Sequence, residues 1–374
     1  MKIFHVVGAR PNFMKVAPVY RALERQGVSS QTVVHTGQHY DANMSEVFFR
    51  ELGIPRPDIN LRAGSGSHPQ QTAAIMVGFE PVVLKRAPDL VLVYGDVNST
   101  VAATLVCAKL GVPVGHVEAG LRSFDRSMPE EINRIVTDSL ADALFTPSED
   151  GNENLMREGI PKGKIFFVGN VMIDSLLHLL LLALERYPAL AERFALREYG
   201  LVTLHRPSNV DNDETLFKIL DALLEISVDL PLVFPVHPRT RQRLASAGAQ
   251  LDGRVTLAEP LGYLDFLALE QYAKLVITDS GGIQEETTCL GVPCLTVREN
   301  TERPVTLSMG TNVLVGRDMD RLKQQVACIL RGEAKKGKLP PLWDGKAAER
   351  ISQTIVSGAW RTASSSSKMP CLST

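Results

Sequence analysis

Three short segments carry acidic residues where a proton could be moved: residues 94–100 (YGDVNST), 116–123 (HVEAGLRS) and 128–134 (MPEEINR). Proline-led apolar runs precede the first two, 88–93 (PDLVLV) and 112–115 (VPVG), and read as buried parallel strands. Asp96 and Glu118 therefore fall just past the carboxyl ends of two strands. In an open parallel sheet that edge is where ligands bind. Glu131 follows in the first turn of a helix. Three carboxylates aimed at one cleft form a proton-transfer set.

Each carboxylate has a competing structural reading. Asp96 could cap the helix that starts near Asn98, but Ser99 and Thr100 are alternative caps that leave Asp96 unengaged. Glu118 stands between Val117 and Ala119-Gly120 after a buried strand, where a charge needs a partner or a function. Ser127-Met128-Pro129-Glu130 fits a capping box with Pro129 in the first turn. That gives Glu130 a structural role and frees Glu131.

A second set of residues suits a nucleoside diphosphate. Residues 8–15 (GARPNFMK) read as strand, glycine turn and helix, with no G-x-G-x-x-G fingerprint. They bring Arg10 and Lys15 beside a helix N-terminus, a site suited to phosphate. In 279–286 (DSGGIQEE), Ser280, Gly281 and Gly282 present bare N–H groups at a helix start, and a diphosphate can approach glycines closely. Glu286, one turn in, could accept from both ribose hydroxyls. His205 and Arg206 follow one strand, and His237 and Arg239 follow another. Two loops stay open to either a functional or a structural reading: 64–72 (GSGSHPQQT), and 300–304 (NTERP), as a polar loop on the cleft or a surface turn.

The elements that hold these groups alternate strand and helix. The first half gives about six strands, at 2–9, 31–36, 88–93, 112–115, 143–145 and 165–168. The pattern restarts near Gly169-Asn170 and gives six more, at 201–204, 232–236, 255–257, 275–278, 294–297 and 313–315. The fold class is α/β: two doubly wound, Rossmann-like domains facing a cleft. Their expected extents are 1–170, with a C-terminal helix at 351–362 returning to it, and 171–350. The serine-rich end, 363–374, reads as disordered.

Bulk properties bound the class. The 374 residues, 44% hydrophobic, suffice for two cores, and a formal net charge of −2 points to no nucleic acid or anionic membrane. A strand starting at Lys2 leaves no room for a signal peptide. The apolar run 176–184 is too short to span a bilayer and reads as a buried helix or an inter-domain contact. Five cysteines without a Cys-x-x-Cys pair suit reduced thiols in a cytoplasmic protein, and eight histidines show no metal-ligand spacing.

Together these motifs resemble the non-hydrolysing UDP-N-acetylglucosamine 2-epimerases over nearly the whole chain. The resemblance runs through Gly8-Ala9-Arg10-Pro11, Thr36-Gly37-Gln38-His39 and Gly95-Asp96-Val97-Asn98-Ser99-Thr100. It continues through His116-Val117-Glu118-Ala119-Gly120-Leu121-Arg122, Pro129-Glu130-Glu131-Ile132-Asn133-Arg134 and His205-Arg206, and closes with Asp279-Ser280-Gly281-Gly282 and Thr301-Glu302-Arg303-Pro304. It implies a fold like that of the GT-B glycosyltransferases, a homodimer, and neither metal nor nicotinamide cofactor. It implies that Asp96, Glu118, Glu131 and His205 are catalytic. Arg10, His237, Ser280, Gly281, Gly282 and Glu286 would hold UDP, with Lys15 on the phosphate side and Arg206 nearby.

The implied reaction is loss of UDP to 2-acetamidoglucal and its re-addition with the carbon-2 proton on the other face. A diacetamido-glucuronate substrate is the nearest alternative. That subfamily diverges at Arg303-Pro304, so the Thr-Glu-Arg-Pro form favours the simple sugar. A hydrolysing epimerase, a GT-B glycosyltransferase and a non-catalytic UDP-sugar binder are the others. Gln38 and His39 match the start of the family's activator-site pattern, but Asp41 stands in place of its second glutamine. A carboxylate accepts only and repels phosphate, so an enzyme that needs no activator is expected.

Overall fold

The computed structural model describes residues 1–37, 49, 52–236, 241, 243 and 253–361. Gln38, His39, Asp41, His237, Arg239 and the tail 363–374 lie outside the described residues. Contacts divide the chain into two units: Met1–Ser175 with the segment from Pro341, and Leu176–Pro340.

In the first unit the short apolar runs become strands β1 (Ile3–Val7), β2 (Gln31–His35), β3 (Ile59–Asn60), β4 (Leu90–Tyr94), β5 (Val114–Val117), β6 (Ala143–Thr146) and β7 (Ile165–Phe167). They pair in parallel in the order β3-β2-β1-β4-β5-β6-β7. β1 and β4 are buried at every position, as expected for strands covered by helices on both faces. Among the described residues seven strands form here, against about six expected. β3 is a two-residue edge strand, too short to leave a periodic signal.

Between the strands run α1 (Arg10–Arg25), α2 (His68–Arg86), α3 (Asn98–Leu110), α4 (Pro129–Leu140) and α5 (Glu149–Arg157), and α6 (Val171–Leu184) carries the chain from the first unit into the second. The serine-rich loop before α2 has a structural use: Ser67 caps that helix, accepting from Gln70 N in a capping box. The apolar run 176–184 is a helix with one buried face, not a buried helix. Leu176, Leu179 and Ala183 are buried, whereas Leu177, Leu181 and Leu182 are exposed.

The second unit repeats the plan with β8 (Gly200–Thr203), β9 (Leu232–Pro235), β10 (Val255–Ala258), β11 (Leu275–Thr278), β12 (Cys294–Thr296) and β13 (Asn312–Leu314), in the order β10-β9-β8-β11-β12-β13. Its helices are α7 (Tyr187–Arg193), α8 (Pro207–Val210), α9 (Asp213–Ile226), α10 (Tyr263–Tyr272), α11 (Gly281–Leu290), α12 (Pro304–Ser308) and α13 (Met319–Leu330). α9 and α13 cover the β8–β9–β11 core through Ile219, Leu223, Leu322 and Val326. The chain then returns to the first unit, where α14 (Ala347–Ser357) packs on α1. Asp174 holds the start of α14 by accepting from Ala347 N at 3.1 Å and Ala348 N at 2.7 Å.

Each sheet reverses its winding once, between β1 and β4 in the first unit and between β8 and β11 in the second. The loops after those four strands are where a doubly wound sheet opens to a ligand. No helix among the described residues is long and apolar enough to cross a membrane. Cys107, Cys289, Cys294 and Cys328 are free thiols.

Candidate active site

At the first switch point, Asn12 joins the two loops. Its Oδ1 accepts from Gly8 N at 3.1 Å and Ala9 N at 3.0 Å, and its Nδ2 donates to Tyr94 O at 2.7 Å. α1 begins at Arg10, whose side chain lies outside the described residues. Lys15, in the second turn, is buried and forms an ion pair with Glu118. Gly95 permits this approach: its φ is +64°, and a Cβ there would lie 2.7 Å from Lys15 Nζ.

Glu118 follows β5 with φ +75°, a conformation that strains a residue bearing a side chain. Two backbone bonds fix it there, since Glu118 N and Ala119 N both donate to Phe145 O at 3.0 Å. Buried His116 supports the same loop from beneath. Its Nδ1 meets Asp138 Oδ1 at 2.6 Å and its Nε2 meets Gly95 O at 2.8 Å. Asp138 also accepts from Gly120 N and pairs with Arg122. One buried imidazole thus ties the loop after β4 to the loop after β5.

Asp96 and Glu131 are joined by Arg134. The guanidinium, 1% exposed, pairs with Asp96 through Nη1 and with Glu131 Oε2 through Nη2 at 2.6 Å. Glu131 further accepts from Ser123 N at 3.0 Å and Phe124 N at 2.9 Å. Burial pushes its carboxyl up, but these donors and Arg134 outweigh burial and hold it below the usual range.

Two local expectations are corrected here. The N-cap of α4 is Met128 with no side-chain cap, and Ser127 Oγ turns instead to Asp125 at 2.6 Å. The expected capping box does not form, so Glu130 has no capping role and Glu131 is not free. Nor do Ser99 and Thr100 cap α3. Ser99 bonds Thr36, Thr100 bonds Tyr94 O, and the N-cap is Val97. Asp96 is engaged after all, by Arg134.

The second switch point is organised by buried Asp279. It accepts from His205 N at 3.1 Å, Arg206 N at 3.0 Å and Asn209 Nδ2 at 3.0 Å, and its Oδ1 lies 2.9 Å from His205 Nδ1. Arg206 Nε donates to Asp279 O at 3.1 Å. The His205 side chain, 61% exposed, is therefore oriented at one nitrogen and open at the rest of its ring. Burial pushes the Asp279 carboxyl up, yet His205 and the amides outweigh it and hold the group below its ordinary range.

Ser280 is the N-cap of α11, with Gly281 and Gly282 in its first turn. A Cβ on Gly281 would lie 2.4 Å from Arg303 Nη1. Arg303 in turn pairs with Glu285 at 3.0 Å and with Glu302, which Arg298 also holds at 2.7 Å. The segment 300–304 is not a plain surface turn: its Glu302 and Arg303 are buried bracing for the start of α11. Glu286 is buried on the same helix, and Tyr263 Oη donates to its Oε1 at 2.9 Å.

A pH dependence of stability follows. The Glu131, Asp138 and Asp279 carboxyls all titrate below their ordinary ranges. Depressed carboxyls contribute stability above their unfolded pKa, about 4, and lose it as pH falls toward the folded value. Asp174 runs the other way, since burial pushes it up to about 6, and it loses stability as pH rises from about 4 to 6. Asp279→Asn is expected to melt below wild type at pH 7, with the gap narrowing below about pH 4. A gap in melting temperature independent of pH would rule out this linkage.

The sequence brought forward the residues of both loops but missed those that orient them. Asp279 and Arg134 were legible in part, as the leading residue of DSGG and the residue one turn after Glu131. Asn12, Asp138 and Tyr263 gave no signal of their own, and His116 stood only as the first residue of its motif.

Two Rossmann-like units, one with braced carboxylates and one with a glycine-led helix start, define a nucleotide-handling α/β enzyme. The family model described as UDP-N-acetylglucosamine 2-epimerase matches residues 21–356, and the chain belongs to that family. A UDP-N-acetylglucosamine 2-epimerase of Methanocaldococcus jannaschii is 44% identical over 369 residues, covering 96% of this chain and 100% of the relative. A crystal structure of the enzyme from that organism with UDP-GlcNAc and UDP superposes with a TM-score of 0.89, at 44% identity over 96% of this chain and 100% of that one. A UDP-2,3-diacetamido-2,3-dideoxy-D-glucuronate 2-epimerase of Pseudomonas aeruginosa is 43% identical, covering 95% of this chain and 99% of the relative.

Proposed function

We propose that the protein inverts carbon-2 of UDP-N-acetylglucosamine to give UDP-N-acetylmannosamine. The observation that supports this reading best is the set of three carboxylates at one sheet edge, each braced by a buried cation: Lys15 on Glu118, and Arg134 on Asp96 and Glu131. Such a set can take and return a proton without a redox cofactor.

The carbon-2 hydrogen, next to an acetamido group, is not acidic. As the bond from carbon-1 to the diphosphate oxygen loosens, carbon-1 becomes oxocarbenium-like and acidifies it. A carboxylate takes the proton, the electron pair forms the double bond between carbons 1 and 2, and UDP leaves with the former bond pair. The products are 2-acetamidoglucal and UDP. Protonation of carbon-2 from the other face and attack of the UDP oxygen on carbon-1 complete the inversion. Asp96, Glu118, Glu131 and His205 carry the proton transfers.

UDP has to stay bound while detached, and the second unit serves that need. The N–H groups of Ser280, Gly281 and Gly282 and the positive end of α11 suit a diphosphate. Arg10, Lys15 and Arg206 add positive charge, His237 adds an imidazole, and Glu286 accepts from the ribose. The same reading puts the enzyme in the cytoplasm as a homodimer, with its domain boundary near Gly169-Asn170 in the chain and Gln38 and His39 left from an activator site.

A second reading draws on the 43% identical Pseudomonas aeruginosa relative, whose name gives a diacetamido-glucuronate substrate. The chemistry at carbon-2 is the same. The test is a proton spectrum of the protein with each sugar nucleotide alone, in heavy water. UDP-N-acetylmannosamine deuterated at carbon-2 is the expected product. Product retaining its original hydrogen would defeat elimination, free N-acetylmannosamine would mean hydrolysis, and turnover of the diacetamido sugar alone would select the second reading.

A further inference from the structure

Glu270 lies on α10 two turns after Tyr263, on the same helix face. It is fully buried, and neither carboxyl oxygen has a hydrogen-bond partner among the described residues. An acid so placed is costly unless something uses it. Burial, and then the Glu286 carboxyl on α11, raise the Glu270 carboxyl well above its ordinary range. Two ionised carboxylates only accept, so no bond can form between them, and two such charges side by side do not both persist. A proton on Glu270 supplies the missing donor. Glu286, the carboxylate that interacts with Glu270, then faces two O–H groups from α10, that acid and the Tyr263 hydroxyl, the latter 2.9 Å from its Oε1.

We propose that Glu270 is a positioning residue: its carboxylic O–H, with the Tyr263 hydroxyl, fixes the Glu286 carboxylate in the orientation that accepts from a ribose diol. This rests on the reading of Glu286 as the ribose acceptor. A carboxylate held from behind by two donors keeps its remaining lone pairs aimed one way. The second donor cannot be a carboxylate, which explains why an acid sits in a dry place where it must stay neutral.

The experiment compares the affinity of UDP with that of 2′,3′-dideoxy-UDP by calorimetry. Wild type is expected to favour UDP roughly 10- to 100-fold, the effect of hydrogen bonds to a charged acceptor. Glu270→Gln keeps an N–H donor toward Glu286 and should retain that ratio within about twofold. Glu270→Met fills the volume without a donor and should reduce the ratio about fivefold or more, by weakening UDP alone. Because the Glu270 oxygens have no other partner among the described residues, Glu270→Met should melt no lower than wild type, and with substrate it should raise KM and spare kcat. A wild-type ratio in Glu270→Met, or a Glu270→Gln as poor as Glu270→Met, overturns the proposal. A ratio of one in wild type itself removes the ribose reading of Glu286, a separate failure that takes this inference with it.

Discussion

Glu118→Gln is expected to lower kcat by roughly 100-fold or more while UDP affinity stays within about threefold, since positioned acid–base groups contribute about 10² to 10⁴. The substitution preserves shape. Glutamine fits the same left-handed backbone at φ +75°, and the bonds from residues 118 and 119 to Phe145 O do not involve the side chain. What is lost is the capacity to carry a proton, together with the charge that pairs Lys15. Asp96→Asn should behave alike, because Asp96 meets Arg134 in the same way. The measurements are steady-state kinetics and calorimetry with UDP, on protein whose circular dichroism matches wild type. Loss of UDP binding with kcat intact would reverse the assignment, making these groups nucleotide ligands and not proton carriers.

That assignment could be drawn from sequence because strands announce themselves. Each carboxylate is preceded by a proline and a mostly apolar run, 90–93 before Asp96 and 113–115 before Glu118, so the carboxyl ends are legible. The switch point, and hence the choice of those two ends over others, needs strand order, which no local pattern encodes. β3, two residues long, was invisible for want of periodicity. Capping was misjudged for a different reason. Ser127, Ser99 and Thr100 each have a nearer partner in three dimensions, in Asp125, Thr36 and Tyr94 O, and such partners outcompete a helix end. The groups that tune the site stayed hidden on the same principle. His116 and Asp138 are 22 positions apart, and Tyr263 and Glu286 are 23, so only the fold makes them neighbours.

Arg134→Met should be the most destabilising change in the site. The side chain is buried and bridges two carboxylates, Asp96 on the loop after β4 and Glu131 in the first turn of α4. Replacing a buried pair by apolar groups is often neutral, but removing one member strands the other and costs about 3–5 kcal/mol. Here two anions lose their shared cation. Glu131 keeps the Ser123 and Phe124 amides, so it is not wholly abandoned, and the lower part of that range applies to it. In a domain of roughly 200 residues each kcal/mol moves the midpoint by about 2–4 °C, so a fall of roughly 10 °C at pH 7 is expected. The deficit should shrink as pH falls below about 4, where the depressed Glu131 carboxyl takes up its proton and no longer needs the cation. Arg134→Lys should recover only part of the loss, because one ammonium cannot reproduce a fork that reaches Asp96 through one nitrogen and Glu131 through another. Calorimetric scans across pH check all three statements. An unchanged midpoint for Arg134→Met at pH 7 would mean that the two carboxylates are held by something other than this guanidinium.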